Sequence, residues 1–150
     1  MQSIYLKQAN KLSSKIAYKL IKKSIKEFLY PIGYTRTKEI PYLLELSDIY
    51  QKKNELLRIL DIGSPQQLSL ILASISEKWD VLYINPYDVE LEDMDERKKI
   101  LNLKNITTKC ADITDTNIDY LSEPFDYIFS CSVFEHIYPE DKGEKIAAEN

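Results

Sequence analysis

Four short apolar runs in the second half of the chain each end in a residue able to do chemistry. The run Leu57 to Ile62 carries Asp61 and leads into Gly63 and Ser64. A glycine at that point lets a ligand approach the backbone closely. A helix starting behind it offers unpaired N–H groups and the positive end of a dipole. The run Val81 to Ile84 ends in Asn85-Pro86, where a side-chain amide can hydrogen-bond a ribose. Ile106 to Cys110 is followed by Ala111-Asp112 and Ile113, placing a carboxylate suited to accept from an exocyclic amine beside an apolar side chain. Tyr127 to Ser130 leads through Cys131 into a stretch carrying Glu135 and His136, two groups able to move a proton. Each has a plain structural reading when taken singly: Asp61 as a turn former, Asp112 as a helix cap, His136 as a half-buried helix residue. Their order and spacing point to one shared site.

The elements that would position them follow from the same pattern. Between the runs lie a helical stretch from about Gln66 to Ser76, a charged helical segment around Asp93 to Leu101, and a loop-rich stretch from Thr114 to Pro124. Short apolar runs alternating with helices are the rhythm of parallel βαβ units, an α/β fold with its function at the carboxyl ends of the strands.

Upstream, residues 11–29 predict a helix. Leu12, Ile16, Ala17, Leu20, Ile21, Ile25 and Phe28 share one arc, and Lys11, Lys15, Lys19, Lys22 and Lys26 form a stripe opposite. That basic face suits an anionic membrane or an acidic partner; alternatively the helix packs on its own acidic domain with its lysines in solvent. Pro31-Ile32-Gly33 is a stop signal. Ile40 to Lys53 predicts a second helix, with Pro41 in its first turn and Leu43, Leu44, Leu46, Ile49 and Tyr50 inward. The division expected is a helical extension over 1–54, acting as a cap, and an α/β unit over 55–150.

Composition narrows the chemistry. The 150 residues are 44% hydrophobic and 29% charged, which is globular and excludes disorder and low-complexity classes. Two unspaced cysteines and one histidine provide neither a zinc cluster nor a disulfide framework, so no metal is expected. A net charge of −4 argues against nucleic-acid binding. The charge is also uneven: residues 1–54 hold 11 Lys/Arg and 4 Asp/Glu, and residues 55–150 hold 9 and 20. No apolar run approaches the roughly 18 residues that span a bilayer, and lysines interrupt the N-terminus where a secretory signal would be apolar. A cytoplasmic location is the expectation.

The stretch 56–150 resembles the class I S-adenosylmethionine-dependent methyltransferases, in the methyltransferase-11-type branch with an EHI segment after the fourth strand. LDIGS is similar to the family's first motif, which implies that Asp61, Ile62, Gly63 and Ser64 line the methionine part of the cofactor. YINPYD lies where the family holds the ribose hydroxyls, implying Asn85 and Pro86 there. KCADITD resembles the motif whose Asp, here Asp112, meets the adenine amino group, with Ile113 beside the ring. FDYIFSCSVFEHI resembles the fourth-strand motif, whose end, at Ser130, lies under the transferable methyl. Either His136 or Glu135 would serve as base where the acceptor must lose a proton.

A sulfonium cofactor carries no phosphate, so carboxylates and hydrogen-bond acceptors suffice. A nicotinamide dinucleotide would need the later glycines of G-x-G-x-x-G, which this loop lacks. Methyl transfer is an in-line displacement from an activated leaving group, so alignment does most of the work.

There are two departures from the family pattern. Pro65 and Gln67 stand where it has glycines, which stiffens the loop. Asn85 replaces the ribose carboxylate with one acceptor and one amide donor.

The resemblance implies a Rossmann-like parallel sheet of order 3-2-1-4 flanked by helices, with the family's C-terminal half-sheet missing from these residues. Strand 4 would then be an edge needing cover by a second copy, a partner chain or the N-terminal helix. Arg36 has two readings: a partner for the cofactor carboxylate, or one for Glu39. The function implied is the cofactor-binding portion of a methyltransferase acting on an acceptor the sequence does not specify. The alternative is a non-catalytic module that keeps the fold as a binding or assembly platform.

Overall fold

Strand β1 (Leu57–Ile62) is buried along almost its whole length, as a strand covered on both faces must be. It pairs in parallel with β2 (Trp79–Asn85) on one side and β4 (Tyr127–Phe129) on the other, and β2 pairs in parallel with β3 (Ile106–Cys110). The resulting sheet has the order β3-β2-β1-β4, as expected. This computed structural model describes residues 2–20, 36–115, 123–133 and 137. Its helices are α1 (Gln2–Leu20), α2 (Arg36–Leu46), α3 (Gln67–Ile75) and α4 (Asp88–Leu101), with a 3-10 turn at Ile49–Lys52.

Alternation along the strands divides the core. Leu57, Ile59, Trp79, Val81 and Tyr83 point to one face and pack with residues of all four helices. Leu60, Ile62 and Ile84 point to the other, where they meet Ile113, Phe125 and Ile137. Ile128, opposite Leu60 on β4, is 59% exposed on this second face.

The helices differ from expectation in their limits. Helix α1 begins at Gln2, not at residue 11, because Tyr5 and Ala9 continue the buried stripe of Leu12 and Ile16. The stretch expected to carry that helix on to residue 29, and the stop at 31–33, lie outside the described residues. Helix α1 packs against α2, α3 and α4, with Lys11 and Lys15 exposed.

Pro41 lies inside α2, not in the first turn of a helix starting at Ile40. The helix stops at Leu46, Asp48 takes a left-handed φ of 52°, and the chain restarts as the 3-10 turn. That break turns Leu46 outward, to 66% exposed, whereas Leu44 and Ile49 are fully buried. Helix α4 starts at Asp88, five residues early, with Asp88 and Glu90 favourably placed in its first turn. Its end is a left-handed cap: Asn102 has φ 56°, and the Leu103 N–H donates to the Lys98 carbonyl at 2.9 Å.

Asn105 ties the layers together. Its Nδ2 donates towards the carbonyls of Ala73, Ser76 and Trp79 at 3.1, 3.0 and 2.9 Å, joining the end of α3 to the starts of β2 and β3. At the other end of the sheet, β4 is held in register by a reciprocal pair. The Arg58 N–H donates to Asp126 Oδ2 at 2.7 Å and the Asp126 N–H to the Arg58 carbonyl at 2.8 Å. All four strands therefore bring their carboxyl ends to one edge.

Candidate functional site

The loop after β1 is shaped by one glycine. Gly63 has φ +58°, and its N–H donates to the Ile84 carbonyl at 2.8 Å. A Cβ there would meet Val133 at 3.6 Å and the Asn85 amide at 3.9 Å, so the constraint is conformational. Ser64 is buried and accepts from the Cys131 N–H at 2.8 Å, which joins the ends of β1 and β4. Gln66 braces the loop from the side, its Nε2 donating to the Glu90 carbonyl and carboxylate at 3.1 and 2.9 Å.

Asp61 sits beneath this loop. It shares the parity of Leu57 and Ile59, so its carboxylate points under α3, where Ser69 donates to Oδ2. The residue is fully buried, and Oδ1 has no hydrogen-bond partner among the described residues. Burial pushes its pKa up to about 6, opposed by the nearby dipoles of Ser64 and Ser69.

Asn85, at the end of β2, is buried and doubly engaged. Its amide donates to the Tyr83 hydroxyl at 3.1 Å, and its Oδ1 accepts from the Tyr87 N–H at 2.9 Å. Burial pushes the Tyr83 phenol up to about 12. The next strand end is a tight turn. Asp112 Oδ1 accepts from the Thr114 N–H and hydroxyl at 2.9 and 2.7 Å, leaving Oδ2 as the oxygen able to accept from a ligand. Ile113 is buried alongside, against Ile62 and Ile84. Beyond β4, Ser132 has φ 56° and accepts from Arg36 at 2.9 Å. Arg36 also pairs with Glu39, so that reading of Arg36 is seen directly. Ser130 Oγ is buried without a partner among the described residues.

These strand ends enclose two adjoining cavities. The first, about 330 Å³, is lined by Ile62, Gly63, Asn85, Pro86, Asp112 and Ile113 among the residues named from the sequence. The second, about 390 Å³, opens on the other side of the Gly63 loop and adds Ser64, Arg36 and Glu90. Gly63, Asn85, Tyr87 and Ser132 line both. Asp61 and Ser130 line neither. Glu135 and His136 lie outside the described residues.

Sequence reasoning missed Tyr87, Glu90, Thr114, Ser132 and Val133 as lining residues. An aromatic directly after the Asn85-Pro86 turn was a usable signal for Tyr87, which is 68% exposed. No group of three or more potential metal ligands is found among the described residues.

Solved structures share the fold. The chain superposes on coclaurine N-methyltransferase bound to N-methylheliamine and SAH with a TM-score of 0.52 and 25% identity, over 64% of its length. The chain has a methyltransferase-type fold. PKMT2 from Rickettsia typhi in complex with AdoHcy supports the same fold, with a TM-score of 0.53 and 21% identity over 70% of this chain. This methyltransferase-type chain spans 28% and 21% of the lengths of those two proteins. No protein-family model and no curated protein matches it.

Proposed function

We propose that residues 55–150 form the S-adenosylmethionine-binding portion of a methyltransferase and that 1–54 form its helical cap. The observation that carries this reading is the pair of cavities meeting at Gly63, with a carboxylate at each side: Asp112 at the first, Glu90 at the second. Their volumes, about 330 and 390 Å³, fall in the range of small-molecule sites. The similarity to proteins solved with SAH and AdoHcy supports the same ligand class.

The donor set fits such a ligand. Among the described residues neither cavity is lined by a lysine, and the cation at the second, Arg36, is already engaged by Glu39 and Ser132. Gly63 leaves the backbone bare where the cavities meet, and the buried Asp61 carboxylate has an oxygen unsatisfied by the described residues.

In this reading Asp112 Oδ2 accepts from the adenine amino group, and Ile113 with Ile62 and Ile84 supplies the apolar surface for the ring. Asn85 and Pro86 face the ribose. Gly63, Ser64 and Arg36 hold the amino-acid end, with Asp61 supplying negative potential from below. Ser130, its Oγ buried just past the end of β4, stands behind the cavities and lines neither. When bound, the cofactor supplies a methyl group activated by the adjacent sulfonium. The chain's own contribution is alignment and exclusion of water. Glu135 and His136 are the proposed groups for taking a proton from the acceptor.

One observation favours a second reading, a non-catalytic module. Both polar ends of the Asn85 side chain are already engaged by Tyr83 and Tyr87, which leaves less for a ribose. Thermal-shift titration separates the two. S-adenosylhomocysteine at about 100 times its dissociation constant should stabilise the chain by about 2.7 kcal/mol, a rise of roughly 5–10 °C, while NAD gives no shift. Asp112→Ala should abolish the response. A shift with NAD alone would overturn the cofactor assignment, and no shift with either ligand would favour the platform.

A further inference from the structure

The outward side of α1 is grooved. Two depressions of about 640 and 420 Å³ run side by side along it and share Lys11, Lys15 and Leu101. Together they extend from Ile4 to Tyr18, about 21 Å of helix at 1.5 Å per residue. The groove's aliphatic part comes from Ile100, Leu101 and Leu103 at the end of α4 with Leu12 of α1, and Ser74 and Asn102 add polar atoms beside them. The rim is basic along α1, where Lys7, Lys11 and Lys15 are all exposed and stand four residues apart on one helical stripe, and Glu77 after α3 is the one acidic residue among those that line it. Ile4 and Tyr18, 43% and 74% exposed, mark the two ends. Gln8 donates to the Ser74 hydroxyl at 2.7 Å, so α1 is pinned against α3 at the base of the groove.

We propose that this groove docks an amphipathic helix of a partner protein, one whose apolar stripe is flanked by Asp and Glu. A groove that follows about 21 Å of α1 matches roughly four turns of helix, the footprint of helix-in-groove recognition. Lysines spaced by four meet acidic residues at the same spacing on a helix laid alongside. Exposed ion pairs of this kind contribute little each, so burial of the apolar stripe supplies the affinity. The lysines select the partner and steer its approach.

The charge pattern fits an acidic protein segment better than a longer polyanion. The chain as a whole carries −4, with the excess of acid in residues 55–150, and a nucleic acid or an anionic bilayer would meet that field as well as the groove.

The test is fluorescence anisotropy of the full chain with a labelled synthetic peptide of about 16 residues, with leucines at helical spacing and glutamates on both flanks. Saturable binding is expected, weakening as salt is raised. The double variant Lys11→Glu, Lys15→Glu should bind about tenfold or more weakly, with its far-UV circular dichroism unchanged because both side chains are exposed. Tyr18→Ala should also weaken binding. A control peptide with lysine in place of every glutamate should not bind.

Absence of saturable binding by the acidic peptide, or equal binding by the double variant, would overturn the proposal. So would co-sedimentation with phosphatidylserine vesicles, binding of an oligonucleotide, or self-association in the ultracentrifuge that the double variant abolishes. Those outcomes would give the groove to a membrane, to a nucleic acid or to a second copy.

Discussion

The Asn85 amide donates to the hydroxyl of Tyr83, two residues behind it on the same strand, at 3.1 Å. Both side chains are buried, and Tyr83 lies on the helix-covered face while Asn85 closes the strand at the cavity. The phenol thus sets which way the amide points. Tyr83→Phe should leave the amide donor unsatisfied and cost about 1–2 kcal/mol, measured by urea denaturation. It should also weaken binding of S-adenosylhomocysteine in titration calorimetry, because the amide loses its orientation. An unchanged affinity would show that Asn85 is positioned by Tyr87 alone.

Asn85→Asp reverses that hydrogen bond. The phenol then donates to a carboxylate, and the Tyr87 N–H keeps its acceptor. A charged acceptor makes a stronger hydrogen bond to a ribose hydroxyl than an amide does. Cofactor affinity should rise by about fivefold, roughly 1 kcal/mol. Unchanged or poorer affinity by calorimetry would count against the placement of Asn85 at the ribose.

Gly63 is held at φ +58° with room for a methyl group, since the closest atom to a built Cβ is 3.6 Å away. Gly63→Ala should therefore destabilise by about 1–2 kcal/mol through backbone strain alone. Gly63→Asn should cost less, because asparagine tolerates the left-handed region. Equal losses for the two variants in urea denaturation would place the cost in packing against Val133.

How much of this was legible depended on whether the signal was local. Strands β1 and β3 match the sequence reading residue for residue, because each is a short apolar or β-branched run bounded by polar punctuation. Asp112 and Gly63 were legible for the same reason: each follows its strand directly. Asp61 was expected to line the site, and the structure places it beneath the loop, lining neither cavity. Its parity with Leu57 and Ile59 turns it under α3, a consequence of the two-residue repeat. Ser132 and Tyr87 were missed because they come to line the same cavities only when loops 45 residues apart in sequence meet around Gly63. The α2 break at Asp48 was not read because the apolar spacing runs through it, although aspartate is among the few residues that take a left-handed φ readily.

Asn105 offers the sharpest test of the fold. One amide nitrogen serves three carbonyls within 3.1 Å, at the junction of α3, β2 and β3. Asn105→Ala should cost about 1–3 kcal/mol, since it leaves partly buried carbonyls unpaired. Asn105→Asp should be worse than alanine, because it sets a carboxylate against three carbonyl oxygens. If aspartate proves the milder change, the amide donates elsewhere.

Asp61 makes stability depend on pH in a defined direction. Burial raises its pKa from 3.8 to about 6. The native state therefore holds a proton more tightly than the unfolded chain, and between about pH 4 and 6 it carries the larger share of bound protons. Stability from this group is fully present below pH 4 and is lost as pH rises towards 6. At 1.36 kcal/mol per unit, that loss approaches about 3 kcal/mol by pH 7. Asp61→Asn cannot titrate, so any change in its hydrogen bonding is a constant offset. The free-energy difference, variant minus wild type, should grow by up to about 3 kcal/mol between pH 4 and pH 7 in urea titrations. A difference that stays flat across that range would mean the carboxylate ionises in the folded chain as readily as in water, and that Asp61 is not sealed beneath the Gly63 loop.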